Sequence, residues 1–237
     1  MIELKNVYYK VDEAGQEKTI LNNISCVFDD GDIVAITGHN GSGKSTLTKL
    51  IMGILPVSAG EIWFNDINIT NMPIYERARL GINYAFQSPI TFKGITIKDL
   101  LDIASGCENS VPQACEYLSR VGLCAKDYIN REFDDTLSGG EQKRVELALA
   151  VAKTGSLVIF DEPEAGIDLW SFTRLNQLFE AEKSYIVVSH QERVLERADK
   201  ILVLNQGQIT HFGDSKTVLK QIGSSVCKRT EVLDETR

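Results

Sequence analysis

The sequence predicts an α/β fold in which a phosphate-binding loop leaves the end of a sheet strand, with an antiparallel β portion and a small helical insertion attached. Three observations predict it. First, Ile33-Val34-Ala35-Ile36-Thr37 reads as a buried strand and Leu47-Thr48-Lys49-Leu50-Ile51-Met52 as the helix that follows. Between them, Gly38-His39-Asn40-Gly41-Ser42-Gly43-Lys44-Ser45-Thr46 fits Gly-x-x-x-x-Gly-Lys-Ser. Second, the apolar runs Leu157–Phe160 and Tyr185–Val188 end in Asp161-Glu162 and Ser189-His190. Strands of that kind deliver polar groups to the C-terminal edge of an open α/β sheet, where ligands bind. Third, residues 2–11 and 20–28 read as strands around the polar turn Asp12–Gln16, with Ile24, Cys26 and Phe28 alternating with Ser25, Val27 and Asp29.

The remaining elements follow in order. Asp30-Gly31-Asp32 is a turn into the opening strand, and Gly53 and Pro56 stop the first helix. Gly60–Asn65 resumes as a strand. Pro73 stands where a first helical residue belongs, ahead of Ile74–Leu80. Gly81 ends that helix and Ile82–Phe86 is a short strand leading to Gln87-Ser88-Pro89. From Pro89 to about Thr136 the pattern becomes helical, at Asp99–Ala104 and Gln113–Val121, without strand signals; Ile90–Ile95 is an outward-facing link. Leu137-Ser138-Gly139-Gly140-Glu141-Gln142-Lys143-Arg144 opens a helix in which Val145, Ala148, Leu149 and Ala152 follow helical spacing. Ile201–Leu204, the turn Asn205-Gln206-Gly207 and Gln208–Phe212 form a closing hairpin, and a polar tail begins at Gly223.

Composition narrows the functional classes. The 237 residues are 43% hydrophobic, enough for a sizeable core. No apolar run approaches a membrane helix and no basic-then-apolar signal opens the chain, so direct membrane insertion is not expected and the location read is cytoplasmic. The net charge of −8 argues against a nucleic-acid partner. Cys26, Cys107, Cys115, Cys124 and Cys227 show no C-x-x-C spacing and read as reduced, structural thiols.

The motifs carry the chemistry of a nucleoside triphosphate. Glycines let backbone N–H groups close around phosphate oxygens. Lys44 supplies a charge for the β- and γ-phosphates, the Ser45 hydroxyl can ligate Mg²⁺, and the helix starting near Gly43 aims its positive end at the same anion. Asp161 can hold the Mg²⁺ shell, and Glu162 can orient or deprotonate the attacking water. Gln87 can both accept from a metal-bound water and donate to one. His190 reads as a γ-phosphate contact if its strand lies beside the one that opens the loop. Ser138-Gly139-Gly140 at a helix N-terminus is a second anion-binding geometry, best explained by a head-to-tail dimer in which it completes the other copy's site.

Gly38–Thr46, Gln87, Leu137–Gln142, Asp161-Glu162-Pro163, Ala165-Gly166-Ile167-Asp168 and His190 occur in the order and approximate spacing of an ATP-binding cassette (ABC) ATPase. The resemblance covers Ile2 to about Gly213. It implies an ABC-type P-loop NTPase with a RecA-like core, an antiparallel β subdomain and a helical subdomain, acting on ATP with Mg²⁺. It also implies that Ser138, Gly139, Gly140 and Glu141 act on the opposite subunit's ATP, that Asp168 ends a loop communicating across the dimer, and that His190 is the switch histidine. Residues 1–87 and 153–222 would be the core with its β subdomain, 88–152 the helical subdomain and 223–237 a tail.

Within the family, the chain looks most like the SufC-type ATPase of iron–sulfur cluster assembly. Tyr84–Pro89 followed by Phe92-Lys93-Gly94, and Gly140-Glu141-Gln142-Lys143-Arg144-Val145-Glu146, resemble that subgroup. Val11 stands where transporter ATPases usually carry an aromatic residue against adenine, although Tyr8 or Tyr9 could take that role. Glu162-Pro163, by contrast, is transporter-like, and the interval from Gln87 to Ser138 is short for the Suf type. The expected partners are a second copy of the chain and soluble Suf-type scaffold subunits, or alternatively a transporter's membrane subunit. Paired cassettes or long insertions, usual in ABC proteins acting on DNA or ribosomes, are not present.

Overall fold

The computed structural model describes residues 1–88, 90–164, 178–179 and 183–223. Its central sheet has six strands in the order β12-β11-β3-β10-β9-β6, made of β3 (Ile33–Thr37), β6 (Ile82–Ala85), β9 (Leu157–Asp161), β10 (Ser184–Val188), β11 (Lys200–Asn205) and β12 (Gln208–Asp214). All pairs are parallel except the closing hairpin β11–β12. Strand β9 is buried throughout and β3 nearly so, which is why both read as continuous apolar runs. Their side chains still alternate between the two faces of the sheet, Val34 and Ile36 of β3 joining one cluster and Ala35 a small one with Leu195 and Ile201. Ile186 and Val188 of β10 join the first of these, whereas Tyr185 and Val187 join a second large cluster.

The first cluster lies between the central sheet and a four-stranded antiparallel sheet of order β2-β1-β4-β5. That sheet comprises β1 (Ile2–Glu13), β2 (Gln16–Phe28), β4 (Ala59–Phe64) and β5 (Ile67–Asn68). Helix α1 (Lys44–Met52) runs between the sheets, burying Leu47, Leu50 and Ile51 against Leu4, Ile24 and Ile62 on one side and Ile36 and Val188 on the other. The second cluster covers the opposite face. There α6 (Gly139–Ala152) packs Val145 and Ala148 toward Phe160 and Val187, and the same core continues into α3 (Ile97–Ser105), α4 (Val111–Arg120) and α5 (Ala125–Tyr128). Helix α2 (Ile74–Arg79) precedes β6, and α7 (Glu192–Arg197) precedes β11.

Three expectations need correction. The segment after Pro89 is not purely helical: β7 (Phe92–Thr96) pairs with β8 (Glu132–Phe133), so the link at Ile90–Ile95 is mostly a strand. Its signal was weak because β7 is exposed or half-buried and its partner is two residues long. Helix α6 is buried on more than one face, with Lys143, Leu147, Ala150 and Val151 inside together with Val145 and Ala148, whereas Leu149 is only half-buried. A helix wedged between the sheet and α3/α4 has no single apolar stripe. Pro73 is the N-cap of α2 rather than its first residue. Cys26 is buried, which pushes its thiol up to about 12, while Cys107, Cys115 and Cys124 are exposed and free; Cys227 lies outside the described residues.

The exit of α1 is fixed by Arg77, buried at 2% exposure. Its guanidinium donates to the carbonyls of Leu50 (2.7 Å) and Ile51 (2.8 Å) at the end of α1, and to those of Thr70 and Met72 (both 2.9 Å). The helix stops at Gly53 in a left-handed conformation, and a Cβ there would stand 2.8 Å from Arg77 Nε. Arg77→Ala is expected to strip these carbonyls of their shared donor and to destabilise the fold by roughly 2–4 kcal/mol. Urea unfolding of the two proteins measures the difference directly.

Candidate nucleotide site

Strand β10 pairs in parallel with both β3 and β9, so the C-terminal ends of these strands lie side by side. The loop after β3, the acids ending β9 and the Ser189-His190 step after β10 are thereby brought to one edge, as their apolar runs predict. The Ser189 N–H donates to the Ile36 carbonyl and the Glu162 N–H to the Val188 carbonyl (3.1 Å each), continuing the parallel register past the strands. A pocket of about 700 Å³ opens here, lined by Asn40, Gly41, Gly43, Lys44, Ser45 and Thr46 of the loop, by Gln87, Glu162 and His190, and by Lys18 and Ile20 of β2.

The loop itself is shaped by Gly38, whose φ is 140°. A Cβ at that position would lie 2.0 Å from the Leu204 carbonyl oxygen, so the loop can press against β11 only without one. Lys44, nearly buried, turns back over the loop and donates to the carbonyls of Gly38 (2.9 Å) and His39 (3.0 Å). Desolvation lowers its pKa, opposed by the nearby charges of Glu162 and Asp161. The ammonium thus points into the loop with neutral oxygens for partners, and α1 begins at the same residue. A cation so placed, with helix-start amides beside it, suits a polyphosphate.

Asp161 is buried and held at both oxygens. Ser45 Oγ donates to Oδ1 (2.8 Å) and Tyr84 Oη donates to Oδ2 (2.9 Å). Tyr84 Oη also lies 3.1 Å from Thr48 Oγ1. Glu162 follows in a left-handed conformation (φ 50°), unusual for a residue with a side chain, and its Oε2 accepts from Gln87 Nε2 at 2.7 Å. The turn carrying Gln87 is anchored to α6: the Phe86 N–H donates to Glu146 Oε1 (2.7 Å), and Lys143 donates to the Phe86 carbonyl and to Glu146 Oε2 (3.1 Å). Behind His190, Ser189 Oγ donates to Glu164 Oε1 (2.5 Å); burial raises the Glu164 pKa.

The structure therefore gathers Gly38–Thr46, Gln87, Asp161, Glu162 and His190 at one edge. Ser138, Gly139, Gly140 and Glu141 do not line that pocket. They form the exposed N-terminus of α6, where the Ser138 N–H donates to Glu141 Oε2 (2.7 Å) and Tyr128 Oη donates to Glu141 Oε1. These bonds hold the Glu141 carboxyl down to about 2, Tyr128 contributing most. Asp168, with the preceding Ala165-Gly166-Ile167, lies outside the described residues. Neither Val11 nor Tyr8 nor Tyr9 lines the pocket; Val11 pairs with Lys18, and that wall is built by Lys18 and Ile20. Tyr84, Thr48 and Glu164 went unnoticed as site residues. Their only signals are a tyrosine one residue before the end of β6 and an extra carboxylate after Asp161-Glu162.

The family model described as ABC transporter matches residues 21–165, more than half of the chain. An uncharacterised ABC transporter ATP-binding protein of Methanocaldococcus jannaschii is 37% identical over 85% of this chain and 85% of its own length. The energy-coupling factor transporter ATP-binding protein EcfA1 of Ureaplasma parvum is 33% identical over 92% of this chain and 75% of its own. Among solved structures, a dimeric post-hydrolysis state of an ATP-binding cassette bound to ADP and Pi superposes with a TM-score of 0.80 at 25% identity, covering 91% of this chain and 99% of that one. The chain belongs to the ABC transporter family. It is an ABC ATPase, and its chemistry is ATP binding and hydrolysis. These relatives carry the names of transporter ATPases, so the family assignment stands without the SufC-type refinement.

Lys44, turned over the loop with the Gly38 and His39 carbonyls as its partners, is the candidate cation for a bound phosphate. Lys44→Ala is expected to reduce ATP turnover by about 10²-fold or more. Phosphate release measured at saturating ATP tests this, and turnover like that of the parent protein would refute the assigned site.

Proposed function

We propose that this ABC ATPase is the nucleotide-binding subunit of a membrane transporter and that it hydrolyses ATP between two copies of itself. The carrying observation is the separation within one chain. Lys44, Gln87, Glu162 and His190 share a pocket, whereas the exposed Ser138-Gly139 end of α6, whose Glu141 amide is capped by Ser138 Oγ and whose Gly139 and Gly140 amides have no intrahelical acceptor, does not line it. A second copy placed head to tail would supply that end to the γ-phosphate. The transporter names of the relatives support the role, and among the described residues no helix is long and apolar enough to cross a membrane.

In this reading Lys44 exchanges the Gly38 and His39 carbonyls for phosphate oxygens. One hydroxyl (Ser45), one carboxylate (Asp161) and one amide oxygen (Gln87) suit a Mg²⁺ ion that takes its other ligands from phosphate and water, where it would neutralise charge on the β- and γ-oxygens. Glu162 exchanges its bond with Gln87 for one to the attacking water, whose proton it accepts, while His190 and the partner copy's helix end face the γ-phosphate. Asp168 would join the contact between copies.

Glu162→Gln is expected to keep ATP binding, lose hydrolysis and accumulate a dimer in ATP. Sedimentation velocity with and without ATP reads this, and a chain that stays monomeric would overturn the shared-site mechanism.

A second reading places the same motor on a soluble Suf-type iron–sulfur scaffold. It is favoured by Gly140–Glu146 and by Tyr84–Ser88, which the structure holds in contact through Lys143 and Glu146. The relatives' names support the transporter reading better. Affinity capture of the tagged chain from its native cells, under reducing and anaerobic conditions, separates the two. A polytopic membrane protein is the expected companion; a soluble β-rich protein carrying iron or free cysteines would move the chain to the scaffold role.

A further inference from the structure

Asp161 and Ser45 sit in a cluster of polar side chains with Tyr84 and Thr48. Ser45 Oγ donates to Asp161 Oδ1 (2.8 Å), and Tyr84 Oη donates to Asp161 Oδ2 (2.9 Å). Tyr84 Oη lies 3.1 Å from Thr48 Oγ1, whose single proton goes either to Tyr84 or to the Ser45 carbonyl (3.0 Å), one helical turn back along α1. Thr48 is fully buried and Asp161 is 1% exposed, whereas Ser45 and Tyr84 are half-buried. The phenol has one proton, and the carboxylate, as the charged acceptor, takes it. Tyr84 stands on β6, directly opposite Ile159 of the adjacent β9, which fixes the ring beside the strand that ends in Asp161.

We propose that Tyr84 and Thr48 are positioning residues for the metal carboxylate: they lock Asp161 so that Oδ1 stays on Ser45 and the pair is preorganised for Mg²⁺. A carboxylate on a strand end can rotate about its terminal torsion, which is broad and twofold for aspartate. Binding Oδ2 from behind removes that freedom before any cation arrives. Tyr84 does not line the pocket, and it acts through Asp161. The inference rests on the proposed Mg²⁺ assignment of Ser45 and Asp161.

The test is Tyr84→Phe, which removes one oxygen and keeps the ring packed against Phe86, 4.9 Å away between centroids. Free Mn²⁺ is followed by electron paramagnetic resonance during titration into protein with a non-hydrolysable ATP analogue, and binding of the same analogue in EDTA is measured in parallel. Loss of an outer partner of a metal ligand lowers metal affinity by about 10–100-fold, and that drop is expected in Tyr84→Phe with the EDTA affinity unchanged. Thr48→Val, which leaves Tyr84 in place, is expected to give a smaller loss in the same direction and carries the test if Tyr84→Phe does not fold cooperatively. Parent-like Mn²⁺ affinity in the folded variant would overturn the positioning role. If the parent itself binds Mn²⁺ no better with the analogue than without, the metal assignment fails instead, so the two failures are distinguishable. Equal losses with Mn²⁺ and in EDTA would show a general packing defect and would also overturn the proposal.

Discussion

Everything at the site depends on β10 lying in parallel register between β3 and β9. The pairs Val188↔Ile36 and Val188↔Asp161 bring the end of one strand level with the ends of two others. A parallel sheet needs both faces covered. The antiparallel sheet with α1 covers one and α6 the other, so the two bodies that flank the nucleotide edge are also the two halves of the core. A slip of one residue in β10 would exchange Ile186 and Val188 with Tyr185 and Val187 between those cores. The hydrophobic pattern that holds the fold together therefore also sets the height at which Glu162 and His190 leave the sheet.

How much of this could be read beforehand depends on how local each feature is. The loop from Gly38 to Thr46 and the acids after Phe160 are contiguous runs whose residue types carry their own chemistry, and they occupy the places expected of them. The Gln87–Glu162 bond and the Tyr84–Asp161 bond required β6 to pair with β9, two strands far apart in the chain whose adjacency no short-range pattern states. Arg77 illustrates the same limit. On α2 it resembles any solvated basic residue of a last turn, and only the approach of α1 turns it into a buried donor to four carbonyls. Helix α6 misled in a different way, because burial on several sides erases the stripe by which amphipathic helices are found.

Two charged groups of the edge already have partners, and this bears on how a nucleotide engages them. Lys44 is bonded to two carbonyls of its own loop and Glu162 to Gln87. Neither is idle, so binding exchanges bonds rather than adding them, and the net gain is the difference between partners. For Lys44 the exchange is favourable, since an ammonium with a phosphate forms a charge-assisted bond and a carbonyl offers only a dipole. For Glu162 the balance is closer. Its left-handed backbone costs on the order of 1–3 kcal/mol, which the Gln87 bond and the Val188 carbonyl help to offset. Moving Gln87 removes part of that compensation, so Glu162 is freed by the same event that draws Gln87 away. The chain beyond Gln87 leads into the exposed β7 segment, and in the proposed mechanism a partner docking there would act first on the residue bonded to Glu162.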